Sequence, residues 1–389
     1  MLKNYYADLH IHIGRTLNGR AVKITGSKTL TLTNILQTAS SQKGLDLIGI
    51  IDCHSPGVLE EMAQLIAQGS LVPLADGGLR YENTTLILGT EIEIYDTNCH
   101  GPIHVLAYFP TITVMKAFSD WMSQHVKNIH LSSQRIYCDA KTLQQQVAAL
   151  GGLFIPAHVF TPFKSLYGKG VRQSLTEVFD PAMIDAVELG LSSDTEMVSK
   201  IKELKHYTFV TNSDAHSLGK MAREYQKLYL ADANFVELLK ALHNIDNRSI
   251  SANYGLHPLL GKYHQTVCAK CGSHVQDEAK LCLNCGSKQI IKGVAKRIQE
   301  LSSDHTTERK RPPYIHQVPL DFIPGIGPKI IEKLLAAFGT EMDILHRVTV
   351  LQLATVVPQK IAERIDLART GQLYFAVGGG GVYGKVQFD

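Results

Sequence analysis

The stretch Tyr5-Tyr6-Ala7-Asp8-Leu9-His10-Ile11-His12 decides the fold. Its apolar and polar positions alternate, which is the period of a strand. Residues two apart on a strand share a face, so His10 and His12 project together from one strand end and can bind one metal ion. Two histidines at this spacing are by themselves a weak signal, since ordinary polar strand positions give the same pattern. The weight comes from a series of similar strand ends further along the chain.

Ile48-Gly49-Ile50-Ile51-Asp52-Cys53-His54 is an apolar run ending in Asp and His, and Thr85-Leu86-Ile87-Leu88-Gly89-Thr90-Glu91 is another ending in Glu. Ile103-His104-Val105-Leu106, Leu153-Phe154-Ile155-Pro156-Ala157-His158 and Phe209-Val210-Thr211-Asn212-Ser213-Asp214-Ala215-His216 continue the series. Each reads as a short buried strand with a metal-ligand residue at or near its C-terminal end, where a parallel α/β barrel gathers its active site. Independent polar capping has no reason to choose His, Asp and Glu at successive strand ends. Imidazole and carboxylate together suit Zn²⁺, Mn²⁺ or Fe, and a bridging carboxylate can hold two ions against one phosphate.

The order HxH, DxH, GTE, HVL, PAH, SDAH resembles the PHP superfamily of metal-dependent phosphoesterases. Within it, Asp8-Leu9-His10-Ile11-His12-Ile13-Gly14-Arg15, the loop Pro156-Ala157-His158-Val159-Phe160-Thr161-Pro162-Phe163 and the C-terminal modules are similar to endonuclease Q. That family comprises DNA-repair nucleases that cut on the 5′ side of deaminated bases. The resemblance implies a distorted TIM-like α/β barrel holding two or three divalent ions, Zn²⁺, Mn²⁺ or Mg²⁺. The candidate ligands are His10, His12, His54, Glu91, His104, His158, Asp214 and His216. Glu91 is the bridging candidate, and Asp214, Glu91 and His158 are the residues on which catalysis rests. Superfamily members usually place an acidic or histidine ligand five or six residues after the HxH pair; Leu17 and Asn18 stand there in this chain.

At 389 residues, with 44% apolar and 19% charged positions, the chain suits a barrel plus one or two small modules. It has neither an apolar run long enough for a membrane span nor a secretory leader pattern, so the expectation is a cytoplasmic, nucleoid-associated protein with no membrane partner. Residues 262–389 carry 17 Lys and Arg against 12 Asp and Glu, a balance of +5 within a net +3. The basic surplus therefore lies in the C-terminal third, a modest pointer to phosphate contact there.

The expected order is a PHP barrel over 1–260, a zinc module over 261–290, a basic linker over 291–318, a helical domain over 319–377 and a Gly-rich tail over 378–389. Within the barrel, helices are expected at 31–44, 56–69, 113–130, 139–150 and 194–206, and a hairpin around Tyr95–Gly101 places Glu91 and His104 on neighbouring antiparallel strands. Arg15, in a basic loop, and Lys164, Lys169 and Arg172, interleaved with aromatics after His158, are candidates for gripping phosphates and an unpaired base. Lys220 and Arg223 come closely after His216 and join them. Glu188 reads as a strand cap that could also stand behind a ligand.

Cys268-Ala269-Lys270-Cys271-Gly272 and Cys282-Leu283-Asn284-Cys285-Gly286 are two CxxCG knuckles. Cys268, Cys271, Cys282 and Cys285 would complete a tetrahedral Zn²⁺ site with no position left for water, hence structural. Asp321-Phe322-Ile323-Pro324-Gly325-Ile326-Gly327-Pro328-Lys329 then resembles a helix-hairpin-helix motif, whose exposed amides bind a DNA phosphate. Gly325, Gly327 and Lys329 carry that reading, and 351–368 looks like a degenerate second copy.

The expected function is thus a DNA-repair endonuclease acting on DNA with uracil, hypoxanthine, xanthine or an abasic site, with other repair or replication proteins as further candidate partners. A phosphoesterase for small phosphate esters and a catalytically inactive DNA-binding adaptor are the competing readings.

Overall fold

The structure is a computed structural model and describes residues 1–276, 279–303, 310–376 and 385–387. The strand Lys3–Ile11 sits at the centre of the main sheet, parallel to Leu47–Ile50 on one side and antiparallel to Tyr225–Leu230 on the other. Leu47–Ile50 passes the sheet on to Thr84–Ile94, which is long enough to pair also with Ile103–Phe109, and Leu153–Pro156 comes next. Ala186–Glu188 and Thr208–Val210 form a parallel pair. A few backbone bonds tie that pair in, from Asp185 N to Phe154 O and Val159 N to Glu188 O on one side and from Ala215 N to His10 O and His12 N to Ala215 O on the other. The strands thereby bend round into a distorted α/β barrel, as expected.

Alternation along the strands divides the core. Leu47, Ile87, Leu106, Ile155, Val210 and Leu228 pack with Phe235, Leu238 and Leu242 of the helix Phe235–His243. Their neighbours Ile48, Ile50, Leu86, Leu88 and Val105 pack with Ile35, Val58, Met62, Phe118 and Leu143 from the helices. Side chains on alternate faces of a strand are thus both buried, as strands flanked by apolar layers require.

The helices at 56–69 and 139–150 are present as Pro56–Ala67 and Ala140–Ala149. Others are shorter than their periodicity suggests. The expected helix over 113–130 ends at Ser123. The one over 31–44 is α-helical only over Leu32–Gln37 and then widens over Thr38–Lys43, where Gly44 ends it at φ 75°. At 194–206 there is one turn, Thr195–Val198, and a separate tight turn, Lys202–His206. A single turn without continuation leaves the costly nucleus unrewarded, so packing rather than propensity sets these limits.

The stretch read as a basic linker is largely attached. Val294–Leu301 is a helix, and Tyr314–His316 adds to Ser249–Gly255 as a parallel edge strand of the barrel sheet. Arg311 lies 3.4 Å from the centre of the Phe209 ring and donates to the carbonyls of Leu204 and Tyr207. Pinning of this kind is invisible to composition. The Gly-rich tail lies outside the described residues except for Lys385–Gln387, which pairs with Tyr374–Ala376.

The C-terminal helices Pro328–Phe338, Glu341–His346, Val350–Leu353 and Gln359–Arg369 pack as two helical hairpins. The middle of the set docks on the barrel. Lys43 Nζ sits 2.9 Å from both carboxylate oxygens of Glu341, and the His346 ring stacks on Tyr6 at 4.5 Å. Among the described residues no helix is long and apolar enough to cross a membrane.

Candidate metal centre

Two groups of donors meet at the barrel's strand ends. His10, His12 and Asp214 form one, and Glu91, His104 and His158 the other, each with donor atoms within 4.8 Å of one another. His10 Nε2 and His12 Nε2 lie 3.4 and 3.3 Å from Asp214 Oδ1. Glu91 stands between the groups. Its Oε1 is 2.8 Å from His104 Nδ1, 3.3 Å from His158 Nε2 and 3.6 Å from His10 Nε2, while its Oε2 is 3.7 Å from His12 Nε2.

The imidazoles are aimed by carboxylates behind them. Both Glu188 oxygens contact His10 Nδ1, at 3.0 and 3.1 Å, and Glu188 also accepts from His158 N and Asn212 Nδ2. Asp52 Oδ2 accepts from Ile13 N and sits 3.1 Å from His12 Nδ1. A carboxylate on one ring nitrogen fixes the tautomer and leaves the other for a metal. The fit is direct in the first group: buried His10 Nε2 and His12 Nε2, the nitrogens that face Asp214, have no hydrogen-bond partner among the described residues.

Electrostatics agree. Burial pushes Glu91 and Asp214 up, yet His104 and Lys23 around the first, and His10 and His12 around the second, hold both well below the usual carboxylate range. His158 and Asp214 also carry positive φ, 32° and 47°, without being glycine. Such backbone costs on the order of 1–3 kcal/mol and persists where the surroundings over-determine it, typically at functional sites.

Two expected ligands fall outside the groups. His54 is turned away: its Nδ1 is 2.7 Å from Thr90 Oγ1 and its Nε2 3.3 Å from the Leu131 carbonyl. In the Asp52-Cys53-His54 motif it is the acid that contacts a donor-group histidine, His12. His216 lies alongside, its ring 4.6 Å from that of His12, and its Nδ1 donates to the Asp214 carbonyl, which leaves Nε2 with a lone pair. The centre also includes Lys23, whose ammonium is 3.2 Å from Glu91 Oε2 and 2.6 Å from Ser133 Oγ. In the sequence it is one cation among several in a polar loop, and nothing near it points to this role.

Beside the Asp214 group opens a cavity of about 220 Å³, lined among others by Ser192, Asn212, His216, Arg223, Lys262 and Tyr263. A larger one, about 600 Å³, runs between the loop after His158 and the zinc-type module and is lined by Phe163, Lys169, Arg172 and Lys292.

No family model matches the chain. The uncharacterised protein YqxK of Bacillus subtilis is 58% identical over 386 residues, covering 99% of this chain and 100% of its own. Among solved structures, the lesion-specific endonuclease PfuEndoQ of Pyrococcus furiosus superposes with a TM-score of 0.85 at 30% identity, over 99% of this chain and 96% of its own. The chain belongs to the endonuclease Q family. A second endonuclease Q structure, in complex with a 27-mer duplex carrying an abasic lesion at the active site, matches with the same TM-score and identity over 100% of this chain and 97% of its own. Membership in the endonuclease Q family makes the protein an endonuclease.

The structure separates the remaining expected positions of this endonuclease Q member. Lys164 pairs with Glu93 at 2.7 Å beside His104, and Lys169 and Arg172 are exposed along the larger cavity. Arg223 donates to the Ser213 carbonyl and lines the smaller cavity, whereas Lys220 covers the Phe322 ring at 5.1 Å. Arg15 donates to Gly19 O within its own loop. Gly325, at φ 94°, and Gly327 precede the helix beginning at Pro328, where Lys329 is exposed. The four cysteines converge, with Cys268 Sγ and Cys285 Sγ 3.6 Å apart and Cys271 Sγ and Cys282 Sγ likewise. Gly272 and Gly286 turn both knuckles at φ 71° and 68°.

Proposed function

We propose that this chain is a DNA-repair endonuclease that hydrolyses the phosphodiester 5′ to a deaminated base (uracil, hypoxanthine or xanthine) or an abasic site, leaving 3′-hydroxyl and 5′-phosphate ends. The observation that carries this is the position of Glu91 between two donor groups, in a chain that matches an abasic-DNA-bound endonuclease Q over its whole length.

His10, His12 and Asp214 would hold one divalent ion and His104 and His158 another, with Glu91 shared and His216 near enough to His12 to join the first. Bound there, such ions polarise phosphate oxygens and acidify water. The protein's own groups do the rest. Glu188 and Asp52 keep the His10 and His12 rings in one orientation. Arg223 and Lys262, on the cavity wall, are placed to neutralise a phosphate. The cavity beside Asp214 is roomy enough for one extruded base, which Asn212 and Ser192 can address by hydrogen bonds and Tyr263 by stacking. Bases in poor pairs cost least to extrude, which favours lesions over intact DNA.

The Cys268, Cys271, Cys282, Cys285 cluster suits a structural Zn²⁺, and the Gly325–Lys329 turn suits a helix-hairpin-helix contact to the DNA backbone. The domain limits read from the sequence stand as part of this proposal, with Tyr314–His316 assigned to the barrel.

The test is cleavage of 5′-labelled duplexes carrying one uracil, one hypoxanthine, one abasic site or none, with Mg²⁺ or Mn²⁺, beside an Asp214→Asn variant. A single cut 5′ to the lesion, absent from the variant and the intact duplex, is expected. Hydrolysis of small phosphate esters with DNA ignored would overturn it.

A further inference from the structure

The centre contains a positive charge that none of the ligand assignments uses. Lys23 lies in the loop after the His10–His12 strand and is fixed by its own backbone, its N–H donating to the Ile13 carbonyl at 2.9 Å. Its side chain is only 14% exposed, against 1% for Glu91. The ammonium contacts Glu91 Oε2 and Ser133 Oγ, and Ser133 Oγ itself hydrogen-bonds the same carboxylate oxygen. Ser132 Oγ, 3.0 Å from Ser133 Oγ, reaches His12 Nδ1 at 3.2 Å. Besides Glu91, the anions facing Lys23 are Asp52 and Asp214.

Glu91 thus has two differently occupied ends. Oε1 looks towards His104, His158 and His10; Oε2 looks towards Lys23 at 3.2 Å and, at 3.7 Å, towards His12 Nε2 of the first donor group. Groups that could hold a further divalent ion on the Oε2 side are otherwise engaged. Asp52 Oδ2 is committed to His12 Nδ1 and Ile13 N, and both ring nitrogens of His54 are within hydrogen-bond distance of other partners. Leu17, whose side chain is exposed, and Asn18 offer no carboxylate or imidazole. An ammonium buried this far is costly unless paired, and here it is paired with a carboxylate that the donor groups already share.

We propose that the Lys23 ammonium is a built-in cation of the centre, occupying the Oε2 side of Glu91 and closing it to a third exchangeable metal ion. A lysine cannot dissociate as an ion can, so it fixes the orientation of Glu91 whether or not the donor groups are loaded. Lys23 is on this account a positioning residue. The proposal rests on the metal-centre reading above, and the two fail differently.

Native mass spectrometry and elemental analysis of the full chain, titrated with Mn²⁺, provide the readout without recourse to cleavage. Wild type is expected to take up two exchangeable ions beyond the ion held by the four cysteines. Lys23→Asp is expected to take up three, and Lys23→Arg two. Three exchangeable ions in the wild type would overturn the proposal, as would an unchanged count of two in Lys23→Asp with thermal unfolding showing that the variant is folded. If Lys23→Asp does not fold, the wild-type count still decides. No exchangeable ion in the wild type would overturn the metal-centre reading itself.

Discussion

Glu188 holds His10 by both carboxylate oxygens, at 3.0 and 3.1 Å from Nδ1, and the ring's far nitrogen points at Asp214. The pair joins residues far apart in sequence through a contact in which neither side chain reaches solvent. Replacing Glu188 by Gln keeps the shape and removes the charge behind the imidazole. We expect metal affinity to fall by roughly 10–100-fold, measured by competition with a chromogenic chelator, while the thermal unfolding of the chain changes little.

Metal uptake should depend steeply on pH. Burial alone would push the His10 imidazole down, but the Glu188 and Asp214 carboxylates raise it to about 10. The metal-free ring is therefore protonated at neutral pH, and an ion can bind only by displacing that proton. Affinity rises as pH rises towards the raised value, by up to about tenfold per pH unit for the one proton. Calorimetry in two buffers of different ionisation enthalpy should report protons released on Mn²⁺ binding, and release should diminish in Glu188→Gln.

The docked helical domain carries a sensor of the opposite sign. Burial pushes His346, stacked on Tyr6 and 2.7 Å from the Tyr225 hydroxyl, down from the ordinary 6.5 to about 3. Docked, the ring stays neutral; released, it takes up a proton below about pH 6.5. Docking therefore keeps its full strength above that pH and loses up to about 1.4 kcal/mol per unit as pH falls towards 3. Hydrogen-exchange protection factors in Glu341–His346, with the intrinsic slowing of exchange in acid divided out, should fall on acidification in the wild type and much less in His346→Phe.

At the helical turn, Gly325 has φ 94°, and a Cβ there would stand 3.0 Å from Ile361 Cδ1. Gly325→Ala should weaken duplex binding by about 1–2 kcal/mol through strain in the turn. Lys329→Ala should instead lower the slope of log affinity against log salt by about one. Fluorescence anisotropy over a salt series separates the two effects.

How legible each feature is in the sequence depends on how it is encoded. His10, His12, Glu91, His158 and Asp214 stand at or near the end of recognisable apolar runs, and His104 opens one that pairs antiparallel with the Glu91 strand, so their convergence can be read from strand order and the hairpin. The knuckle cysteines carry their geometry in a fixed spacing. Asp52 and Glu188 act through other side chains, and whether an acid at a strand end faces a metal or an imidazole depends on a rotation that periodicity does not encode. His54 lies outside both donor groups for the same reason: its ring is turned to Thr90 Oγ1 and the Leu131 carbonyl, while Asp52 backs His12. Lys23 is illegible because its partner, Glu91, lies 68 positions away.

The return of the chain at Tyr314–His316 has a bearing on how the protein can be divided. Because this strand completes the barrel edge beside Ser249–Gly255, the knuckle module is an excursion anchored at both ends and not a bead on a string. A fragment stopped at residue 260 would lack its outermost strand and leave an open row of peptide groups, which invites edge-to-edge association. The natural excision is internal: joining the chain across the excursion would spare the barrel, whereas trimming from the C-terminus would injure it before the knuckle module was reached.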